Sequence, residues 1–231
     1  MIPADSKNHF VLQCRGLKKY FQIGSRQIQV LQDVNLDVEK GKIVLIRGRS
    51  GTGKSTLLSL LAGLDRPTGG SIRLEDLPLE NLGSADLARL RRRKIGIVFQ
   101  NFNLLPAWTA FRNVEAALLH DKLSPKIRRQ KVLALMEKFG LTDRLENLPS
   151  ELSVGEQQRI AVARALINDP ALILADEPTG DVDPETADEI LRTLTDAVRG
   201  GERTLLVTTH GSFSASAAHQ LLRLENGRLS A

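Results

Sequence analysis

A short segment combines glycines, a lysine and hydroxyl groups at a spacing suited to phosphate chemistry: Gly48, Arg49, Ser50, Gly51, Thr52, Gly53, Lys54 and Ser55. Glycine lets the backbone turn so that its N–H groups point inward around an anion, and a helix that starts there adds partial positive charge. Lys54 offers a full charge to the β- and γ-phosphates of a nucleotide, and Ser55 offers a hydroxyl to Mg²⁺. The pattern G-x-x-x-x-G-K-S therefore predicts that these residues, with Thr56, hold Mg-ATP.

The sequence on either side of this segment favours that interpretation over a chance match in a glycine-rich loop. An apolar strand is predicted over residues 42–46, directly before the glycines, and an apolar helix over residues 55–64, directly after them. In a strand, loop and helix of this kind, backbone N–H groups and the helix dipole act on the same anion.

Two adjacent acids, Asp176 and Glu177, follow a second apolar run over residues 172–175. In a fold with this phosphate loop, a carboxylate at a strand end can hold Mg²⁺ opposite Lys54, so we assign Asp176 as a metal ligand. Glu177 is placed to orient and activate the attacking water. The alternative is an acid pair that caps a helix after a strand, and the phosphate loop favours the catalytic interpretation.

The remaining elements explain how these groups are brought together. Strands are predicted over residues 10–15, 28–38, 72–74, 95–99, 171–175, 204–208 and 220–224, and helices over 84–93 and 184–198. Between residues 101 and 168 the strand signals stop, and helices are predicted over 111–119, 125–139 and 155–167. The fold class is therefore α/β, with a mostly parallel P-loop (RecA-like) core, an antiparallel β subdomain and a helical insertion.

The composition limits the possible partners. The chain has 231 residues and a net charge of +5, and its densest basic run is Arg89, Arg91, Arg92, Arg93 and Lys94. This run is either the solvated end of a helix or a contact for a membrane partner or lipid headgroups. One Trp and one Tyr supply few platforms for stacking bases, so no nucleic acid partner is expected. Because residues 1–8 lack a signal peptide's apolar stretch and no run approaches the roughly 20 residues of a membrane span, we expect a cytoplasmic location.

Further segments resemble the motifs of the ABC (ATP-binding cassette) ATPases. Residues 152–159, Leu-Ser-Val-Gly-Glu-Gln-Gln-Arg, resemble the signature segment. Gln100 resembles the Q-loop glutamine, residues 180–183 the D-loop, and His210 the switch histidine. Tyr20 lies where the family places an aromatic ring that stacks on adenine, although a packing role is the alternative. The motifs follow the family's order from Tyr20 to His210, so the resemblance covers nearly the whole chain as one cassette, residues 1–231.

This resemblance implies a division of the chain and a role for each motif. Residues 10–100 and 169–231 would form the nucleotide-binding core, and residues 101–168 the helical insertion. Two copies would close on two ATP molecules, each bound to the phosphate loop of one copy and to Ser153, Gly155, Glu156 and Asp183 of the other. Glu177, His210 and Gln100 would be catalytic, and Ser55, Gln100 and Asp176 would hold Mg²⁺.

Residues 63–70 and 174–180 narrow the resemblance to a subgroup that contains the lipoprotein-releasing (LolD-type) ATPases, the macrolide-exporter (MacB-type) ATPase domains and FtsE. The sequence departs from the usual pattern at Val154, where the signature has glycine, at Arg112, where the subgroup often has Glu, and at Gly211, where an acid often follows the histidine. Members of this subgroup drive transport, extraction or periplasmic motion through a membrane partner. The implied location is therefore the cytoplasmic face of the inner membrane, attached through that partner.

The partner implied by this subgroup is a polytopic permease. Residues 100–108, which include Phe102, Leu104, Leu105 and Trp108, are the predicted docking region, unless these apolar side chains pack within the insertion.

The alternative function is a non-transport ABC ATPase acting as a regulatory or nucleic-acid-associated module. DNA-repair members carry long coiled coils between the phosphate loop and the signature, translation factors carry paired cassettes, and a small-molecule kinase would leave residues 152–158 unexplained.

Overall fold

The computed structural model describes residues 9–180, 182–210 and 218–231. The strands are β1 (Phe10–Ile23), β2 (Arg26–Glu39), β3 (Ile43–Arg47), β4 (Gly69–Leu74), β5 (Leu77–Pro78), β6 (Ile95–Val98), β7 (Leu172–Asp176), β8 (Thr204–Thr209), β9 (Gln220–Glu225) and β10 (Arg228–Ser230). The α-helices are α1 (Lys54–Leu61), α2 (Ser84–Lys94), α3 (Ala110–Glu115), α4 (Pro125–Lys138), α5 (Val154–Leu166) and α6 (Pro184–Val198).

The central sheet has the strand order β10-β9-β3-β8-β7-β6 and is parallel except for β10. Its inner strands are uninterrupted apolar runs, as expected for strands covered on both faces. The order places β3 and β7 on either side of β8, so their carboxyl ends meet at one edge. This edge carries the phosphate loop after β3 and the acid pair at the end of β7.

The residues of each inner strand alternate between two hydrophobic cores. On β7, Leu172 and Leu174 belong to the core that contains α1 and the antiparallel sheet, while Ile173 and Ala175 belong to the core that contains α3 to α6. Successive side chains of a strand point to opposite faces, which accounts for this division. The antiparallel sheet and the helical segment therefore cover opposite faces of the central sheet.

The antiparallel sheet has the order β2-β1-β4-β5 and extends further than the sequence predicts. The predicted strand over residues 10–15 is too short, because β1 continues through Tyr20 to Ile23 and turns at Gly24, where φ is 60°. The basic pair at residues 18–19 masks the strand pattern. Lys19 is nevertheless buried, since its ammonium pairs with Asp65 at 2.7 Å and donates to the carbonyl oxygen of Arg66 at 2.9 Å.

The structure describes every residue from 101 to 168 and places only helices and turns there. The hydroxyls of Thr109 and Ser124 accept backbone N–H groups at the starts of α3 and α4, which is the N-cap arrangement expected of these residue types. The predicted helix over residues 111–119 is shorter than expected, because α3 ends at Glu115 and a 3₁₀ turn follows. Within the described part of the chain, no helix has the length and apolar character needed to span a membrane.

Candidate functional site

The phosphate loop, residues 48–53, closes tightly against its neighbours between β3 and α1. A Cβ on Gly48 would lie 2.6 Å from the carbonyl oxygen of Leu224 and 2.7 Å from Oγ1 of Thr52. Gly51 and Gly53 have φ values of 79° and 101°, which side chains rarely tolerate. Gly53 also contacts β2 and is the N-cap of α1. The glycines thus form a narrow backbone cradle at a helix N-terminus, the geometry that suits a phosphate group.

Lys54 is the first residue of α1 and its side chain turns back over the loop. Its Nζ donates to the carbonyl oxygens of Gly48 at 2.8 Å and Arg49 at 3.0 Å, and it lies 3.1 Å from Oε1 of Glu177. Only 4% of the lysine side chain is exposed. A buried ammonium requires partners of opposite charge or carbonyl dipoles, and the structure supplies both. Ser55, in contrast, is exposed and its hydroxyl is accessible to a ligand.

Glu177 joins the phosphate loop to the neighbouring strands. One carboxylate oxygen contacts Lys54, and the other, Oε2, contacts Nδ1 of His210. Its φ is 44°, in the left-handed region, which aims the carboxylate back across the sheet edge instead of along β7. Asp176, the preceding residue, accepts a hydrogen bond from Oγ1 of Thr208 at 2.5 Å. The two acids therefore have separate partners and face different groups.

The predicted signature segment forms the start of α5. Ser153 is the N-cap, and its hydroxyl accepts from the N–H of Glu156 while the Glu156 carboxylate accepts from the N–H of Ser153 at 2.8 Å. This reciprocal pair is a capping box. The Nε of Arg144 binds the same carboxylate at 2.7 Å, and these hydrogen bonds, led by that from Arg144, lower the pKa of Glu156. Val154 lies at the surface with 43% of its area exposed.

Asp183 caps α6 and lies next to the signature segment through Thr186. Its carboxylate accepts from the N–H of Thr186 at 3.0 Å and from the Thr186 hydroxyl at 2.7 Å, and these bonds lower the pKa of Asp183. The methyl group of Thr186 lies 2.7 Å from where a Cβ of Gly155 would be. The first turn of α6, which Asp183 of the predicted D-loop caps, therefore packs on the signature helix. Asp181 within that D-loop and Gly211 after the histidine lie outside the described residues.

Tyr20 and Gln100 lie apart from the contacts around Lys54. Tyr20 is half-buried on β1, and its hydroxyl accepts from Nε2 of Gln29 at 3.1 Å. Val30, next to Gln29 on β2, packs against the Gly53 position, so the hairpin that carries Tyr20 adjoins the phosphate loop. Gln100 is exposed in the turn after β6. The residues that the structure brings into direct contact are Lys54, Glu177 and His210, with Asp176 beside them.

Three further residues shape the site and have no role of their own among the sequence-predicted site residues, although Gln158 lies within the signature segment. Thr208 holds Asp176, as described above. Gln158 is buried on α5 and donates from Nε2 to the carbonyl oxygen of Pro178 at 2.7 Å. Asn113 is fully buried on α3 and its amide bonds the backbone of Leu105, Trp108 and Thr109. A buried amide on an otherwise apolar helix face is the one sequence signal that could have marked Gln158 and Asn113.

Together these groups can bind and attack a terminal phosphate. The cradle and Lys54 favour negative charge, while Ser55 and Asp176 present the hard oxygen ligands that Mg²⁺ prefers. Glu177 and His210 lie at the same edge and can hold a water or sense an added phosphate oxygen. Hydroxyl and carboxylate ligands thus fit a magnesium ion at this edge, as the sequence predicts.

Comparison with known proteins agrees with this chemistry. Residues 31–180 match the protein family described as ABC transporter. An uncharacterized ABC transporter ATP-binding protein of Thermotoga maritima is 42% identical over 95% of this chain and 93% of its own length. The macrolide export ATP-binding/permease protein MacB 1/2 of Paracoccus denitrificans is 40% identical over 95% of this chain, which spans only 33% of that protein. Among solved structures, this chain is similar to the dimeric ATP-binding cassette MJ0796 in a post-hydrolysis state bound to ADP and Pi. The TM-score is 0.89 at 36% identity, and the match covers 95% of this chain and 97% of that chain.

Proposed function

The chain belongs to the ABC transporter ATP-binding family, and from this premise we propose that it is a motor subunit whose two copies close on two Mg-ATP to drive a membrane permease. It is an ATP hydrolase of that family, and its relatives include dimeric cassettes. The observation that carries the proposal is the contact of Glu177 with both Lys54 and His210 at the carboxyl edge of the parallel sheet.

The chain's own groups have distinct tasks in this proposal. Backbone N–H groups of residues 48–56 and the Lys54 ammonium bind the β- and γ-phosphates, and Tyr20 stacks on the base. Ser55, Asp176 and Gln100 would hold Mg²⁺, which when bound neutralises charge on the phosphates. Glu177 orients the attacking water and accepts its proton, and His210 detects the γ-phosphate. Thr208 fixes the orientation of the Asp176 carboxylate through its 2.5 Å hydrogen bond.

The signature segment acts on the ATP bound to the second copy. Ser153 and Val154 are exposed at the N-terminus of α5, where the helix dipole favours an anion. Glu156 and Asp183 lie beside them, and both carboxylates are already engaged in caps that fix their orientation. A surface this well ordered in the single chain is suited to close on a nucleotide without refolding.

The docking region for the permease lies in the loop after Gln100. Leu105 and Trp108 expose 43% and 37% of their surface, so two large apolar side chains of one loop are accessible to a partner. Their loop is nevertheless rigid, because Asn113 binds its backbone at several points and Arg164 of α5 donates to the carbonyls of Phe102 and Asn103 at 2.5 and 2.6 Å. An apolar, pre-ordered surface is what a helix of a membrane partner needs for docking.

A cleft of about 630 Å³ adjoins this loop and extends the docking region. Arg164 lines it, together with Arg89 and Arg92 of α2 and His120 beyond α3. Three residues of the densest basic run, Arg89, Arg91 and Arg92, therefore line a cleft at the docking side. We propose that the permease places a helix across the loop and this cleft, with acidic or polar groups near the arginines.

The experiment that tests the proposal combines turnover with partner capture. The purified chain should hydrolyse Mg-ATP, and from detergent-solubilised membranes it should retain a polytopic permease that mass spectrometry identifies. Capture of DNA-associated or soluble regulatory proteins in place of a permease would instead support the non-transport alternative. Failure to hydrolyse ATP, with or without the captured permease, would contradict the motor role.

A further inference from the structure

We propose that Gln158 is a positioning residue whose side-chain amide holds the turn that carries Glu177. This inference rests on the proposed catalytic role of Glu177. Gln158 lies on α5, the helix that presents the signature segment, whereas Glu177 serves the ATP bound to its own subunit. The amide would therefore connect Glu177, which serves the ATP of its own subunit, to α5, which acts on the ATP bound to the second copy.

The bond from Gln158 is short and buried. Its Nε2 donates to the carbonyl oxygen of Pro178 at 2.7 Å, and the glutamine side chain is 1% exposed. A carbonyl can only accept, so this contact fixes which end of the amide faces the turn. The other end, Oε1, is buried and has no hydrogen-bond partner among the residues that the structure describes.

The turn that Gln158 holds is strained at the catalytic position. Glu177 adopts a φ of 44°, which is uncommon for a residue with a side chain and persists only where its surroundings enforce it. Its N–H donates to the carbonyl oxygen of Thr208 at 2.9 Å, and its own carbonyl accepts from the N–H of Gly180 at 3.1 Å. Strand β8 thus anchors the turn on one side, and Gln158 anchors it on the other.

The unpaired Oε1 argues for a role beyond packing. A buried polar atom without a partner destabilises the fold, and an apolar side chain of similar volume would avoid that loss. An amide at this position is therefore explained by the one bond that it makes, to the residue directly after Glu177. Losing this bond would leave the turn free to relax toward an ordinary φ and would move the carboxylate away from Lys54.

The test replaces Gln158 with Met, which keeps the length of the side chain and removes the donor. We expect kcat for ATP hydrolysis to fall between about tenfold and about a hundredfold, as for a catalytic group that is misplaced by an ångström. Mg-ATP binding should be retained, because Gln158 does not contact the phosphate loop residues described above. Rates are expressed per mole of ATP-binding sites, so partial unfolding does not enter the comparison.

The matched control is Asn168→Leu. Asn168, two positions beyond the end of α5, donates from its amide to the carbonyl oxygen of Ala117 at 2.9 Å, away from the turn that carries Glu177. Like Gln158→Met, this variant loses one side-chain amide bond to a backbone carbonyl oxygen, and it should leave kcat unchanged. In the Glu177→Gln background, Gln158→Met should leave ATP-driven dimerisation unchanged, because the signature segment keeps its cap.

Several outcomes would overturn the inference. A kcat within about twofold of wild type in Gln158→Met, with Glu177→Gln inactive, refutes the positioning role and leaves the proposed function standing. Dimerisation that weakens in parallel with kcat would mean that Gln158 acts on the signature segment instead. If Glu177→Gln retains turnover, the catalytic assignment itself fails. Should Gln158→Met not fold, Gln158→Leu, which is shorter and also lacks the donor, is predicted to lower kcat over the same range.

Discussion

The carboxylate of Glu177 lies 3.1 Å from the ammonium nitrogen of Lys54, and both side chains are buried. Each group therefore satisfies the charge of the other. A γ-phosphate bound to Lys54 brings negative charge next to Glu177, whose other carboxylate oxygen contacts His210. The phosphate and the carboxylate would therefore compete for the Lys54 ammonium.

Gly155 is required for the packing of α5 against Thr186, in the first turn of α6. A Cβ at this position would lie 2.7 Å from the methyl group of Thr186, so we expect Gly155→Ala to lower the free energy of unfolding by about 1–3 kcal/mol. Thr186→Ser removes that methyl group and keeps the hydroxyl that binds Asp183. In the Thr186→Ser background, the loss caused by Gly155→Ala should therefore shrink to well under half. Urea unfolding of the four proteins measures this, and an equal loss in both backgrounds would refute the contact.

Val154 occupies the position where the signature segment usually has glycine. Its branched side chain is exposed at the surface that we propose closes on ATP, and it restricts the backbone there. We expect Val154→Gly to strengthen ATP-driven dimerisation in the Glu177→Gln background, by roughly fivefold for a change of about 1 kcal/mol. Val154→Ala removes the branched side chain without adding the backbone freedom of glycine, so it separates the effect of side-chain bulk from that of the backbone. Sedimentation in Mg-ATP measures the dimerisation constants, and superimposable curves for all three proteins would show that Val154 does not oppose closure.

Much of this site follows from the sequence because its parts are local. The phosphate loop, the acid pair and the histidine each lie at the end of an apolar strand, and the parallel order of β3, β8 and β7 brings those ends together. Strand β1 is longer than predicted, because the basic pair at residues 18–19 interrupts the apolar pattern typical of a strand. Lys19 is tolerated in the sheet only through its long-range pairing with Asp65.

The positioning residues could not be predicted in the same way. Gln158 and Asn113 each bind backbone carbonyl oxygens, which every residue type carries, so no sequence pattern marks their partners. The carbonyl that Gln158 binds belongs to Pro178, and only the folded chain shows that the two residues meet. The short strands β5 and β10 are missed for a related reason, since each has only two or three residues and depends on its neighbour.

Trp108 is predicted to contribute to permease binding and not to nucleotide binding. Truncating an exposed aromatic anchor typically weakens an interface by more than about tenfold, so Trp108→Ala should lower partner affinity by at least this factor. The control is Ile127→Ala on α4, where the side chain is 45% exposed and lies outside the loop held by Asn113. Binding to the permease in detergent and Mg-ATP titration measure the two affinities. Equal partner affinity for both variants would place the docking surface elsewhere.

The ion pair between Glu156 and Arg144 makes stability depend on pH in a predictable direction. The pKa of Glu156 is lowered in the folded chain, chiefly by the hydrogen bond from Arg144. The contribution of this carboxylate is therefore fully present above the ordinary glutamate pKa and is lost as the pH falls through the lowered value. Glu156→Gln should melt below wild type at about pH 7, and the difference should shrink as the pH falls below the ordinary glutamate pKa of about 4.3. A difference that persists or grows in acid would contradict this assignment.

The catalytic role of Glu177 is tested most directly by ATP turnover in Glu177→Gln, with Mg-ATP binding measured on the same sample. The amide keeps the shape of the side chain but cannot accept the proton of the attacking water. We predict that binding is retained, since a negative charge beside the phosphate is removed, and that turnover falls by about a hundredfold or more. Turnover within about threefold of wild type, with binding intact, would contradict the assignment of Glu177 as the catalytic carboxylate.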